Sequence, residues 1–147
     1  MATVFIIFAV ILYAWLKTQP VKSNLDNDYR NYIEKLGDKN FFFYNNKRRP
    51  KSFIEANILP YLPEHVEIIY LNGKKPESEY PETVVSHMLY QSKAYDGFPH
   101  LVKLRNGVVT ELSINNEVSN CIYQHKNFDL ILFKIYAFFD LQTLTSI

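Results

Sequence analysis

Four cationic side chains surround a proline in the segment NNKRRPKSF. They are Lys47, Arg48, Arg49 and Lys51, on either side of Pro50. The segment comes directly after an aromatic run and at the start of a helical pattern. Guanidinium and ammonium groups gathered there suit an anion, because the amide groups of a first helical turn also attract negative charge. This basic turn is therefore a candidate contact for a phosphate, a lipid headgroup or the carboxylates of a partner. The alternative is that the side chains extend into solvent and bind nothing.

The other reactive residue types are too scattered to form a catalytic or metal site. The four histidines are far apart in the sequence, and neither a His-x-x-x-His nor a Cys-x-x-Cys pair occurs. The single cysteine, Cys121, cannot form an intrachain disulfide and is predicted to be a small packed residue. No G-x-S-x-G motif or glycine-rich phosphate loop is present. We therefore predict no catalytic residues, no metal and no cofactor.

The composition predicts one domain of ordinary size that has no extended surface for nucleic acid. The chain has 147 residues, of which 48% are hydrophobic, enough for a real core. Sixteen Lys and Arg against 15 Asp and Glu leave a formal charge of +1, which provides no basic track for a phosphate backbone. The predicted partners are a membrane and other proteins of a membrane assembly, with neither nucleic acid nor a small-molecule substrate.

Residues 1–17 predict a membrane anchor. The run MATVFIIFAVILYAWL is uncharged, Lys17 follows it, and Tyr13 and Trp15 suit the membrane interface. A signal peptide is the alternative, although no basic side chain precedes the run and no A-x-A site follows it. Residues 18–28 are predicted to be a linker and residues 29–147 the folded domain. This organisation predicts a single-pass, membrane-anchored protein.

Beyond the linker, helical and strand patterns alternate in a regular way. A short helix at residues 29–36 precedes strands at 40–44, 66–71, 100–104 and 108–114 and helices at 52–62, 82–91 and 128–141. Asn106-Gly107 between the last two strands is typical of a two-residue hairpin, because both turn positions need positive φ. The order β-α-β-α-β-β-α predicts an α/β domain in which helical crossovers join parallel strands and an antiparallel hairpin follows.

The last predicted helix carries apolar side chains around its whole circumference. A helix that covers one sheet face needs a single apolar stripe. The additional apolar surface is either covered by the helix at residues 29–36 or docks against another protein. The residues predicted for such a partner surface are Phe128, Leu132, Phe133, Tyr136 and Phe139.

Two segments of this pattern resemble the thioredoxin family. Thioredoxins follow their central strand with Trp-Cys-Gly-Pro-Cys at the start of a helix, and here Lys47-Arg48-Arg49-Pro50-Lys51 follows the first strand. Thioredoxins also carry a cis-proline before the third strand, and Phe98-Pro99 followed by an Asn-Gly hairpin fits that pattern. The resemblance implies a thioredoxin-like fold in which Pro99 is cis. It also implies a degenerate active-site turn, because Arg48 and Lys51 stand where the two cysteines would be and cannot exchange thiols.

The layout as a whole is similar to that of small baculovirus envelope proteins, the per os infectivity factors, and in particular to their sixth type. The shared features are an uncharged apolar N-terminus followed by lysines and a small domain rich in Asn and Tyr. The resemblance implies a non-catalytic subunit of an envelope entry complex needed for oral infection of insect cells, located in the virion envelope and the host nuclear or ER membrane. The alternative is a lumenal thioredoxin-like protein that binds substrates for a folding machinery.

Overall fold

A computed structural model describes residues 26–92 and 96–142 of the chain. The chain divides into two units between Lys35 and Leu36. Residues 26–36 are helical (α1), which confirms the predicted short helix and adds to it three residues that were predicted as linker. The predicted anchor at residues 1–17 lies outside the described residues. Within the described ranges, no helix has the length and apolar character needed to cross a membrane.

The second unit is an α/β domain, as predicted, whose described strands form one five-stranded sheet. The strands are β1 (Lys39–Asn45), β2 (Val66–Asn72), β3 (Lys75–Glu77), β4 (His100–Arg105) and β5 (Val108–Ser113). The helices are α2 (Arg48–Asn57), α3 (Glu82–Tyr90), α4 (Asn115–Gln124) and α5 (Asp129–Phe139), with a short 3-10 helix at Leu59–Tyr61.

The strand order in the sheet is β3-β2-β1-β4-β5. β1 and β2 are parallel and α2 connects them, whereas every other neighbouring pair is antiparallel. The β4–β5 hairpin turns at Asn106 and Gly107, whose φ angles are +50° and +74°. The first predicted parallel crossover and the predicted hairpin are both confirmed. The second crossover, through α3, differs from the prediction, because it leads to β4, which is antiparallel to β1.

β1 is the middle strand, and four consecutive aromatic side chains on it are buried, Phe41 to Tyr44. Successive side chains of a strand point to opposite faces. Phe42 and Tyr44 therefore lie on one face, in a cluster with Ile54 of α2, Ile58 directly after α2, Val118 of α4, and Ile131, Ile135 and Phe139 of α5. Phe41 lies on the other face, where the Tyr80 ring packs edge-on at 5.3 Å. Burial on both faces explains why the β1 sequence is apolar without alternation.

Two elements of the domain were not predicted, α4 and β3. The α4 sequence NNEVSNCIYQ contains three asparagines, which have low helix propensity, and these obscured the apolar spacing of Val118, Cys121 and Ile122. β3 has only three residues, with Pro76 at its centre. A proline is tolerated there because β3 lies at the edge of the sheet.

Arg105 joins the ends of three elements at one edge of the domain. Its guanidinium donates to Asn40 Oδ1 at 2.8 Å and to the Lys39 carbonyl at 3.2 Å, both in β1. It also donates to the carbonyl of Phe139, the last residue of α5, at 3.3 Å. These bonds give a donor to the Oδ1 atom of the buried Asn40 side chain. They also give a donor to one of the carbonyls that the end of α5 leaves without an intrahelical partner.

His100, the first residue of β4, is fully buried. Its Nε2 lies 3.2 Å from Ser92 Oγ and 3.2 Å from Glu111 Oε2 on β5. Burial lowers the pKa of His100, and the neighbouring Glu111 carboxylate opposes this effect without overcoming it. The folded domain therefore favours the neutral imidazole.

This burial predicts a loss of stability on the acid side of neutrality. As the pH falls below about 6.5, the unfolded chain binds a proton at His100 that the folded domain still rejects, so the free energy of unfolding decreases by up to about 1.4 kcal/mol per pH unit. Urea unfolding measured between pH 7.5 and pH 5 should show a shallower acid-side slope for His100→Gln than for the original chain. Identical slopes for the two proteins would contradict the assignment to His100.

Candidate functional site

The basic turn lies between the end of β1 and the first turn of α2. The helix begins at Arg48 and ends at Asn57, whereas residues 52–62 were predicted. Pro50 is accommodated as the third helical residue, because the amide that proline lacks belongs to the first turn, where amides have no intrahelical partner. At the other end, a 3-10 helix that contains Pro60 replaces the predicted last turn. Arg48 and Lys51 thus lie one turn apart in the same helix.

The Lys51 side chain is directed toward β2. Its Nζ donates to the Tyr70 hydroxyl at 3.3 Å and lies 4.4 Å from the centre of the Tyr70 ring. It is also 3.8 Å from Glu55 Oε1, one helical turn further along. The hydrogen bond to Tyr70 is the largest cause of a raised pKa for Lys51. The alternative in which all four cations extend into solvent therefore fails for Lys51.

Tyr44 completes this group of side chains. Its hydroxyl donates to Glu55 Oε1 at 3.1 Å, and its ring lies 5.1 Å from that of Tyr70. Burial and, next, the hydrogen bond to Glu55 raise the pKa of Tyr44 to about 12. This cluster of Tyr44, Lys51, Glu55 and Tyr70 was not predicted from the sequence. Two signals pointed to it, the i,i+4 spacing of Lys51 and Glu55 and the equivalent positions of the tyrosines on paired strands.

Arg48 and Arg49 point into a cleft on the other side of α2. The cleft has a volume of about 410 Å³ and is lined by Arg48, Arg49, Ser52, Phe53, Cys121, Ile122 and His125. We call it the arginine cleft. The guanidinium carbon of Arg49 lies 5.8 Å from the centre of the Tyr123 ring. In residues 26–92 and 96–142, neither arginine forms an ion pair.

Cys121 lies in the wall of this cleft, although it is far from the basic turn in sequence. It is half-buried and packs against the core, as predicted. Its Sγ is 3.2 Å from the Lys126 carbonyl, to which the thiol donates. The fold therefore brings the one cysteine of the chain beside the arginines, an arrangement that the unpredicted helix α4 produces.

The Phe98-Pro99 peptide bond is cis, the isomer that the sequence pattern predicted. The Pro99 carbonyl accepts a hydrogen bond from the Ile114 amide at 3.0 Å. Phe98 lines a second cleft of about 480 Å³ with Asn45 and Leu71, at the carboxyl ends of β1 and β2. The residues of the basic turn and Phe98 thus line different clefts.

The five residues predicted to form a partner surface on the last helix are divided by the structure. Tyr136 and Phe139 are 6% and 1% exposed, so neither can face a partner. Phe139 belongs to the core cluster, and the Tyr136 hydroxyl donates to the Tyr61 carbonyl. For these two residues the structure corrects the prediction. The reason is that one apolar stripe of α5 packs against the sheet, and that stripe includes both residues.

The outward face of α5 retains part of the predicted surface. Phe133 is 64% exposed, and Leu130, which was not predicted, is equally exposed at 64%. Phe128 and Leu132 are half-buried. The Phe128 ring packs edge-on against Phe53 of α2 at 5.9 Å. The exposed face of α5 therefore centres on Leu130 and Phe133.

The described residues include no group of three or more His, Cys, Asp and Glu side chains that could hold a metal ion. His65 and His125 are exposed and line different clefts. His100 is buried beside Glu111.

Comparison with known proteins returns no match to this chain among protein-family models, curated proteins or solved structures.

Substitution by alanine should lower the free energy of unfolding much more on the buried face of α5 than on its exposed face. Phe139→Ala should lower the free energy of unfolding by about 3–5 kcal/mol, because it removes a buried ring from the core. Phe133→Ala, on the same helix, should change it by no more than about 0.5 kcal/mol, because the ring is mostly in solvent. Urea unfolding of both variants measures the difference, and losses of equal size would show that the outward face is buried as well.

Proposed function

We propose that the protein is a non-catalytic thioredoxin-like interaction subunit of a membrane assembly. The observation that carries the proposal is the start of α2, where Arg48 and Lys51 stand one turn apart, at the positions that the resemblance to thioredoxins assigns to the two cysteines. Lys51 is held there by Tyr70 and Glu55. Its ammonium group therefore has a structural partner and is not a substitute nucleophile.

The strand order supports the thioredoxin-like part of the proposal. β1 and β2 are parallel and connected by α2, β4 is antiparallel to β1, and β5 is antiparallel to β4. The β1-α2-β2 crossover and the β4–β5 hairpin are the parts of this arrangement that the resemblance implies for the order β-α-β-α-β-β-α. The short β3 and the helix α4 are additions to it.

A binding role is favoured over a redox role by the chemistry of thiol exchange. The reaction needs an attacking thiolate and, in this family, a second thiol that resolves the mixed disulfide. The chain has one cysteine, Cys121. Its thiol lies in the wall of the arginine cleft, donates to the Lys126 carbonyl and is not at the start of α2.

The membrane part of the proposal comes from the apolar residues 1–17 and from the similarity in layout to the baculovirus per os infectivity factors. We place the subunit in a viral envelope entry complex that acts in oral infection of insect cells. The exposed Leu130 and Phe133 of α5 supply an apolar contact for another protein of the assembly. The second candidate, a lumenal substrate-binding helper, is favoured instead if residues 1–17 are removed from the mature protein.

The proposal predicts that the chain migrates as part of a larger complex after mild detergent extraction from its membrane. Leu130→Ser combined with Phe133→Ser should release it from that complex, because the polar side chains remove the apolar contact while the buried face of α5 is unchanged. Native electrophoresis with detection of the chain measures this.

Val108→Ser is the matched control, because Val108 is similarly exposed, at 61%, but lies on β5. The control variant should stay in the complex. A lone monomer in the original protein would overturn the proposal, and so would disulfide reductase activity in the purified chain. N-terminal sequencing of the mature protein distinguishes the retained anchor from the lumenal alternative.

A further inference from the structure

The side chains that line the arginine cleft include two arginines and no carboxylate to balance their charge. Elsewhere in the domain, several cations have carboxylate partners, such as Lys39 with Glu67 at 2.8 Å and Lys103 with Asp140 at 3.0 Å. No carboxylate is among the side chains that line the arginine cleft. Arg48 and Arg49 both face this one space. They are adjacent in sequence, and neither forms an ion pair in the described part of the chain. An anion in the cleft would relieve the repulsion between them.

The cleft attracts an anion through its side chains and not through the end of α2. Pro50 has no N–H group, the Lys47 amide donates to Asn45 Oδ1 at 3.3 Å, and the Lys51 amide donates to the Lys47 carbonyl at 2.9 Å. The first turn therefore keeps few amides for a ligand. The Ser52 hydroxyl is occupied as well, because it donates to the Arg48 carbonyl at 3.0 Å. The donors that remain are the two guanidinium groups and, across the cleft, the His125 imidazole that follows α4.

The number of donors favours a doubly charged anion. A guanidinium group binds carboxylate or phosphate oxygens through two parallel hydrogen bonds. One arginine is sufficient for a carboxylate, whereas a phosphomonoester carries a charge of about −1.5 to −2 at neutral pH and has three acceptor oxygens. Two arginines with a histidine match the phosphomonoester.

The rest of the cleft wall is apolar. Phe53, Ile122 and Cys121 line it beside the arginines. Phe53 and Ile122 are half-buried and pack against the domain core, so they form a fixed surface. A space of about 410 Å³ accommodates more than a bare phosphate. An aromatic or aliphatic group attached to the phosphate would lie on this surface and remove it from water.

From these observations we infer that the arginine cleft is a binding site for a phosphomonoester attached to an apolar group. Arg48 and Arg49 bind the phosphate, His125 adds a hydrogen bond, and Phe53 and Ile122 contact the apolar part. The inference goes beyond the proposed function and does not rest on it, because it needs neither the thioredoxin-like fold nor a membrane partner. The phosphomonoester can come from a lipid headgroup or from a soluble ester.

The test is isothermal titration calorimetry on the full chain in an uncharged detergent. Phenyl phosphate should bind about tenfold or more tightly than inorganic phosphate, because its ring contacts the apolar wall. It should also bind about tenfold or more tightly than benzoate, which has the ring but only one negative charge. Arg48→Gln combined with Arg49→Gln should weaken phenyl phosphate binding by about tenfold or more, since charge-assisted hydrogen bonds are lost.

The control variant is Lys74→Gln combined with Lys75→Gln, which removes two positive charges from exposed positions at the turn between β2 and β3. It should bind phenyl phosphate as the original chain does, and thermal unfolding should confirm that both double variants are folded. Equal weakening in the two double variants, benzoate binding as tight as that of phenyl phosphate, or no binding at all would overturn the inference.

A further titration with dihexanoyl phosphatidic acid, below its micelle concentration, identifies the source of the phosphomonoester. Binding at least tenfold tighter than that of phenyl phosphate assigns the site to a lipid headgroup. Weaker binding assigns it to a soluble ester. Either result supports a phosphomonoester site, provided that the arginine variant loses the interaction.

Discussion

The aromatic side chains of β1 must be shielded from water on both faces of the sheet. Burying each of them stabilises the fold by about 1.5–3 kcal/mol relative to leaving it exposed. The strand therefore takes the central position, with β2 and β4 as its neighbours. Helices α2, α4 and α5 supply the cluster around Phe42 and Tyr44, and Tyr80 covers Phe41. Arg105 then holds the start of β1 against the end of α5.

The position of β1 also determines what the basic turn can do. Only two residues separate the end of β1 from the start of α2, so Arg48, Arg49 and Lys51 fall on the helix and are distributed by its periodicity over two sides of the helix axis. Lys51 faces Tyr70 on β2, and Glu55, one turn later, accepts a hydrogen bond from Tyr44 on β1. Arg48 and Arg49, with Ser52 and Phe53 one turn later, face α4. The run of cations in the sequence is thereby divided. Lys51 is paired with Glu55, whereas Arg48 and Arg49 line a cleft that contains no carboxylate.

The regular parts of this fold could be predicted from the sequence, and the composition of the candidate site could not. The uninterrupted apolar run of β1 and the Asn106-Gly107 turn are local signals whose meaning does not depend on distant residues. The arginine cleft depends on α4, whose asparagines hid a helix, and on a contact between segments about 70 residues apart in the chain. Tyr136 and Phe139 were assigned to the wrong face of α5 for a related reason. An all-round apolar helix does not indicate in its sequence which stripe the sheet will cover.

The half-buried thiol of Cys121 has a practical consequence. It is the one sulfhydryl group in the chain, and it lies in the wall of the arginine cleft. A thiol-reactive fluorophore would consequently attach at a single known position without any engineered cysteine. Its emission would respond to the polarity of that cleft, so the natural sequence already provides the attachment point for an optical sensor of whatever occupies it.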